Sequence, residues 1–309
     1  MSATIPVNLI RGRKPRTDVL QHQQKPSWLR VQAPGNPQYL HLKHLMHELD
    51  LNTVCEEASC PNIGECWKNG TATFMILGSI CTRACSYCNV TTGKPNPIDT
   101  NEPVRLASAV ERLGLSHVVI TSVDRDDLPD GGASVFADTI VEVRRRIPNC
   151  RIEVLIPDFR GRKTDLLTVL NAQPDVLNHN IETVARLYRM ARPGGRYKRA
   201  LELLDRVHHY APDIPTKSGL MVGLGENLSE ILTTLHDLRG VGCDLLTIGQ
   251  YLRPSIAHLN IARYYSPEEF STLRSAALEL GFGHVESGPL VRSSYHAHKQ
   301  TESFNKTQH

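Results

Sequence analysis

Three cysteines fall within eight residues in "ICTRACSYCN": Cys81, Cys85 and Cys88, with gaps of three residues and then two. A second set, Cys55, Cys60 and Cys66, precedes it in "VCEEASCPNIGECW", with gaps of four and five. Six of the chain's eight cysteines therefore lie within 34 residues. Three thiolates on one short loop can hold three irons of a [4Fe–4S] cubane, which ordinarily takes four. The fourth iron is then open to a small molecule. Zinc is the bland alternative, but closed zinc sites prefer four ligands, often in paired CxxC-like knuckles, and neither set contains such a pair. His41, His44 and His47 repeat at helical spacing and read as helix-surface residues. Cys150 and Cys243 lie outside both sets and read as small buried apolar residues.

The elements that must carry these thiols follow from the apolar pattern. Six β-branched, apolar runs read as buried parallel strands. They are "TATFMILGS" (71–79), "HVVITSV" (117–123), "RIEVLIPDF" (151–159), "DVLNHNIE" (175–182), "KSGLMVGL" (217–224) and "LLTIGQYL" (245–252). Helical patterns follow each, beginning with "EPVRLASAVERLG", which has acid and proline in its first turn and stops at Gly114. Six β-then-α units at about 30-residue spacing predict an α/β chain built as a partial (βα)6 TIM-like barrel. A doubly wound open sheet is the alternative, because strand order cannot be read from sequence. Either architecture gathers its chemistry at the C-terminal ends of the strands, where the Cys81–Cys88 loop falls. The expected division is an N-terminal arm and cysteine-bearing extension at 1–70, a barrel core at 71–265, and a C-terminal helix and tail at 266–309. Trp28 and Tyr39 are expected to pin the arm.

The chain has 309 residues, is 40% hydrophobic and 22% charged, and carries a net charge of +3. This is ordinary globular composition and implies no nucleic-acid partner. The basic run "RGRKPR" (11–16) reads as a solvated tail or an arm for an acidic partner. No run of 18 apolar residues exists to span a membrane, and the first 30 residues lack a secretory apolar core. The expected location is the cytoplasm, where clustered cysteines mean metal or redox chemistry rather than structural disulfides.

CxxxCxxC directly after a first barrel strand, with Tyr87 before the last cysteine, resembles the radical S-adenosylmethionine (SAM) superfamily. The upstream CxxxxCxxxxxC narrows the resemblance to the lipoyl synthase family. "KPSWLRV", "EASCPNIGECW", "TSVDRDDLPDGGA", "NHNIETV", "KSGLMVGLGE", "GQYLRPS" and "GPLVRSSYHA" resemble that family over nearly the whole chain. The resemblance implies two [4Fe–4S] clusters. One, on Cys81, Cys85 and Cys88, would bind SAM and generate a radical. The other would be an auxiliary cluster on Cys55, Cys60 and Cys66, with Ser293 or Ser294 of "RSSY" as fourth ligand and Ser294 preferred. The implied reaction inserts two sulfur atoms at C6 and C8 of a protein-bound octanoyl group. It consumes two SAM molecules, with the auxiliary cluster as the sulfur source. Partners implied are octanoylated lipoyl domains or a glycine-cleavage carrier protein, a low-potential electron donor and cluster-assembly proteins. A monomer is the default.

The resemblance also suggests cofactor contacts. Tyr87 would lie near the adenine, and "TSV" (121–123) would offer backbone groups to the methionine amine. Asn180 and Glu182 would serve ribose or carboxylate groups, and Arg192 and Lys217 would pair with the SAM carboxylate. Asp124 to Asp127 read as a polar rim. Gly223 and Gly225 read as points of close approach or tight turning. Arg192, Arg196, Lys198 and Arg199 in "RPGGRYKR" are expected to face acidic carriers. A two-cluster electron carrier and a zinc scaffold are the competing classes.

Overall fold

The computed structural model describes residues 25–30, 37–57, 60, 62–68, 73–297 and 300. The basic run at 11–16 lies outside the described residues. The strands are β1 (Asn52–Thr53), β2 (Thr73–Ile76), β3 (Ile80–Cys81), β4 (Thr91–Thr92), β5 (His117–Ser122), β6 (Arg151–Leu155), β7 (Val176–Asn178), β8 (Thr216–Val222), β9 (Leu245–Gln250) and β10 (His284–Gly288). The main sheet runs β1-β2-β5-β6-β7-β8-β9-β10. All its pairs are parallel except β1 against β2. Strand order follows chain order from β2 to β10. A doubly wound sheet needs a reversal of that order, so the sheet is the wall of a partial barrel. No ladder among the described residues joins β10 back to β1 or β2.

All six expected strands form. The seventh parallel strand, β10, was not expected. Its sequence, "HVESG", is short and polar because only Val285 is fully buried. An edge strand covered on one side carries too little apolar signal to be read. The two edge strands, β1 and β10, both come from outside 71–265.

The α-helices among the described residues are α1 (Pro37–Glu48), α2 (Val54–Glu57), α3 (Ile63–Lys68), α4 (Glu102–Arg112), α5 (Ala133–Arg146), α6 (Lys163–Asn171), α7 (Tyr188–Ala191), α8 (Tyr197–Tyr210), α9 (Leu228–Gly240) and α10 (Pro267–Glu279). Their ends follow local chemistry. Asn227 with Glu230, and Ser266 with Glu269, form reciprocal capping boxes at α9 and α10, satisfying otherwise orphaned N–H groups. Gly114, at φ 63°, follows the last turn of α4. His41, His44 and His47 are exposed on α1, as expected. Trp28 is 42% exposed, while its neighbour Leu29 is fully buried. Leu29, not Trp28, anchors that segment; Tyr39 packs on the core as expected.

One core runs between the sheet and the helices. Cys150 and Cys243 are fully buried in it. The barrel interior is polar at its N-terminal end. There Lys217 Nζ lies 2.9 Å and 3.2 Å from the two Glu153 carboxylate oxygens, and Asn178 Nδ2 donates to the same carboxylate at 3.1 Å.

Candidate active site

β2 ends at Ile76, and the chain turns through Leu77 at φ 69° and Gly78 at φ 86°. Positive φ at a leucine is strained and persists only where surroundings enforce it. Here the buried Glu102 carboxylate accepts from the Leu77 N–H at 2.7 Å. This turn aims the Cys81–Cys88 loop across the C-terminal ends of the strands. The short pair β3 and β4 closes the loop at its base, with Gly93 N–H donating to the Cys81 carbonyl at 3.0 Å.

Arg83, inside the loop, is the main clamp. It makes a two-pronged contact to Asp126 at 2.7 Å and 2.8 Å and reaches Asp158 at 2.7 Å. Forked guanidinium–carboxylate contacts of this kind are strong and directional. Arg83 in turn holds the Asp158 carboxyl well below its usual range, against the effect of burial. His258 Nε2 lies 2.9 Å from the Cys88 carbonyl, and Leu259 N–H donates to the Ser86 carbonyl at 3.1 Å. The loop after β9 therefore braces the cysteine loop from the other side. Neither Arg83, Asp158 nor His258 was singled out from sequence. Arg83 sits within the motif, and the aspartates it meets follow the next strand, 43 residues on at Asp126, so opposite charge was the available signal.

Cys81, Cys85 and Cys88 all line one cavity of about 500 Å³. Tyr87, Asn180, Glu182, Arg192 and Ser293 share its wall. Tyr87 and Asn180 reach the Glu182 carboxylate, and Glu182 sits at φ 67°. Asn180 Nδ2 donates to Ser293 Oγ at 3.0 Å. Arg192 is buried, and its Nη1 donates to the Asn180 carbonyl at 3.0 Å. Gly219 permits the close packing of Asn180, since a Cβ there would fall 2.6 Å from Asn180 Oδ1. Gly223, at φ 104°, allows Gln250 to approach in the same way. Of the expected rim, Asp124 lines the cavity and Asp126 holds Arg83, whereas Arg125 turns to Asp127 at 2.8 Å.

Lys217 corrects the reading. It lies near the start of β8, is fully buried, pairs with Glu153 and does not line the cavity. A role at the SAM carboxylate is withdrawn. Its sequence context, a cation opening an apolar strand, could not tell the two ends of that strand apart. Arg199 likewise pairs with Asp158 at 3.0 Å. Of the proposed basic face, Arg196 and Lys198 are exposed, while Arg192 is buried.

The residues present fit an iron–sulfur cluster. Cys81 Sγ accepts from the backbone N–H of Arg83 at 3.4 Å and of Asp124 at 3.3 Å. Such bonds favour sulfur that bears negative charge. Burial pushes the Cys85 thiol up to about 12 and the Cys88 thiol to about 11. The Cys81 thiol adds to this at Cys88. Ligated iron supplies the positive charge that makes thiolates favourable in such a place. Among the described residues no three His, Cys, Asp or Glu side chains converge on one metal ion. A cubane spreads its thiolates one per iron, so it does not require that convergence. The wall also carries buried polar atoms without partners, Ser122 Oγ, His179 Nε2, Asn180 Oδ1 and Arg192 Nε. These are what a polar ligand would satisfy.

The second thiol set stands at the barrel's open seam. Cys55 lies in α2, directly after β1, and Cys66 lies in α3. Burial pushes Cys66 up to about 12, with Cys55 and Cys60 next in effect, so the three sulfurs are neighbours. The tail crosses to them. Leu290 carbonyl accepts from Asn62 Nδ2 at 2.6 Å, and Tyr295 Oη donates to the Glu65 carboxylate at 3.2 Å. Thr73 Oγ1 donates to Ser294 Oγ at 2.8 Å.

A partial parallel barrel with CxxxCxxC on the loop after its first parallel strand defines the class of radical SAM enzymes. The profile of the radical SAM superfamily matches residues 75–238, and that of the N-terminal domain of lipoyl synthase matches 8–60. Lipoyl synthase of Rubrobacter xylanophilus is 59% identical over 91% of this chain and 88% of its own length. That of Nitrosococcus oceani is 54% identical over 96% and 90%. The chain belongs to the lipoyl synthase family. Its fold resembles that of HydG, a maturase of the [FeFe]-hydrogenase, at TM-score 0.55 and 17% identity, covering 74% of this chain and 54% of HydG. It also resembles SuiB of Streptococcus suis bound to S-adenosylmethionine, at TM-score 0.54 and 10% identity, covering 74% and 54%. Membership of the superfamily implies a [4Fe–4S] cluster and SAM.

Proposed function

We propose that this chain inserts two sulfur atoms into an octanoyl group carried on a lysine of a lipoyl domain or a glycine-cleavage carrier protein. The observation that carries the reading is the pairing of two cysteine triads in a chain of this family, one on the cavity wall and one at the seam beside it. Bound, two [4Fe–4S] clusters and two SAM molecules would supply hydrogen abstraction at C6 and C8 and the sulfur for both positions. Alkyl C–H bonds have no acid to ionise, so the chain needs no acid–base dyad. Its own residues do the placing.

Cys81, Cys85 and Cys88 hold the first cluster, with Arg83 and His258 fixing their loop. Tyr87, Asn180, Glu182 and Arg192 contact SAM. Met75, Leu155 and Met221 give the cavity an apolar stretch suited to an alkyl chain. Cys55, Cys60 and Cys66 hold the auxiliary cluster. Its fourth ligand falls to Ser293 in place of the Ser294 preferred from sequence. Ser293 lines the cavity, where a ligand that must yield to substrate belongs, and Ser294 does not. A serine oxygen is harder than thiolate and suits a ligand that leaves.

The same reading calls for a low-potential electron donor and cluster-assembly partners, and for a cytoplasmic monomer. No helix among the described residues is long and apolar enough to cross a membrane. Arg196 and Lys198 remain as a docking face for an acidic carrier, whose binding should weaken as salt rises. The deciding experiment is anaerobic. Reconstituted protein, dithionite, SAM and an octanoyl-lysine peptide should give 5′-deoxyadenosine and a peptide two sulfurs heavier. Deoxyadenosine with no sulfur gained would overturn the substrate assignment. Ser293→Ala should suppress sulfur gain more than Ser294→Ala; the reverse order would restore Ser294 as ligand.

A further inference from the structure

Ile256 is 84% exposed, the most exposed of the large hydrophobic side chains among the described residues. One such residue on a surface is ordinary. This one is held out by a built loop. Arg253 Nε donates to the His258 carbonyl at 3.0 Å, and its Nη2 donates to the Ile256 carbonyl. Ser255 Oγ lies 2.9 Å from His258 Nδ1 and accepts from the Ala257 N–H at 3.2 Å. Tyr251 Oη donates to the Leu259 carbonyl at 3.0 Å and closes the loop at its base. The inner side is tied to the cysteine loop, at the Cys88 and Ser86 carbonyls. An apolar tip fixed at this many points loses little entropy when something covers it.

The loop is also a rim. Leu252, Arg253 and Pro254 line the cavity, whereas Ser255, Ile256 and Ala257 are exposed. Met190, 45% exposed, joins the same rim through Ser86, whose Oγ donates to the Met190 carbonyl at 2.9 Å. Arg253 spends its donors on carbonyls of its own loop, so its charge is not neutralised there. Arg189, next to Met190, is exposed. The rim thus sets apolar side chains beside cations. A substrate chain held on a protein lysine is tethered, and its tether brings the carrier's own surface onto whatever surrounds the mouth. We propose that the loop at 253–258 docks the folded domain that bears the octanoyl-lysine. Ile256 makes the apolar contact, and Arg253 faces a carboxylate of the carrier beside it. This rests on the octanoyl reading above and adds a partner surface outside the cavity. An electron donor is the competing occupant, because the same loop braces Cys88. It has no need of a cavity rim, which the carrier must cross.

The test uses anaerobic holoprotein and two probes, an octanoylated lipoyl domain and a short octanoyl-lysine peptide. Binding of each is measured without reductant, and sulfur gain in a single turnover with SAM and dithionite. Ile256→Asp sets a like charge against an acidic partner. It is expected to weaken binding of the domain about tenfold and to slow its sulfur gain in step at low substrate. The peptide should be bound and converted as by the wild type. Ile256→Leu should keep the affinity for the domain, and Ile256→Ser carries the measurement if the Asp variant fails to hold iron. Rising salt should weaken wild-type binding of the domain more than that of the peptide. Equal losses on domain and peptide would overturn the proposal, because the loop would then act by shaping the cavity. Unchanged affinity for both, in a wild type and variant that convert both, would sink this proposal alone. A loss seen only when a protein donor replaces dithionite would assign the loop to the electron donor. Wild-type holoprotein that adds sulfur to neither probe would sink the octanoyl reading, and this one with it.

Discussion

The two ends of the barrel interior are both polar and both buried, yet they differ in how their charged groups are paired and in whether their unpartnered atoms line a cavity. At the N-terminal end, Glu153 and Lys217 are 1% and 0% exposed, and they satisfy each other. Asn178 adds a third bond to the same carboxylate, although its own Oδ1 and the two ring nitrogens of His117 make no hydrogen bond. Burial alone would raise the Glu153 carboxyl, but Lys217, with His117 behind it, holds it down at about 2. At the C-terminal end, His179, Asn180 and Arg192 are also buried, and each leaves one polar atom without a partner. A buried ion pair fixes structure, while unpartnered polar atoms that line a cavity are within reach of a ligand. Charge and burial alone do not separate a site residue from a structural one. Lys217 and Arg192, both expected at the cofactor, differ in this respect and in place, since Arg192 lines the cavity and Lys217 does not.

The largest effect that tests this contrast is loss of the first cluster. Cys88→Ala should abolish 5′-deoxyadenosine formation, measured by chromatography after dithionite and SAM, while Cys150→Ala should leave it and the iron content unchanged. Activity surviving in Cys88→Ala would remove the cavity's claim to be the reacting end. Next is the opposite end. Lys217→Met strands a buried carboxylate and should destabilise the holoprotein by about 3–5 kcal/mol in anaerobic urea unfolding, whereas Lys217→Met with Glu153→Leu should recover most of that. A double variant as unstable as the single one would show that the pair does more than satisfy itself.

A pH dependence sharpens the same point. The folded-state Glu153 pKa lies below its ordinary 4.5. Its contribution is therefore fully present above 4.5 and is lost as pH falls from there towards about 2. The stability gap between wild type and the double variant should shift against the wild type across that window and stay flat from pH 7 to 5.5. A smaller effect is expected from Asn227→Ala, which removes a helix cap remote from both ends. It should cost about 1 kcal/mol and leave iron content and SAM cleavage unchanged.

The loop that joins the two ends' chemistry to the chain shows how far local sequence reaches. CxxxCxxC, the upstream triad and the six apolar runs are local patterns, and each was legible because thiol spacing and apolar periodicity lie in contiguous residues. Helix ends were legible for the same reason, as at the two ends of α4, Pro103 and Gly114. Ser293 and Ser294 were visible only through resemblance, since two serines in a tail carry no physical signal of their own. The clamp of Arg83 on Asp126 and Asp158 joins residues up to 75 apart in sequence, and the tail's bond to Glu65 spans 230.

Sequence by itself determined the class of chemistry, the alternation of strands and helices, and that six apolar runs form buried strands. Only the tertiary structure decided strand order, the seventh strand, the end of the barrel to which Lys217 belongs, and which serine faces the cavity. The physical reason is that side-chain types and short-range periodicity are properties of neighbours along the chain. Pairing, desolvation and the orphaning of a donor or acceptor are properties of neighbours in space.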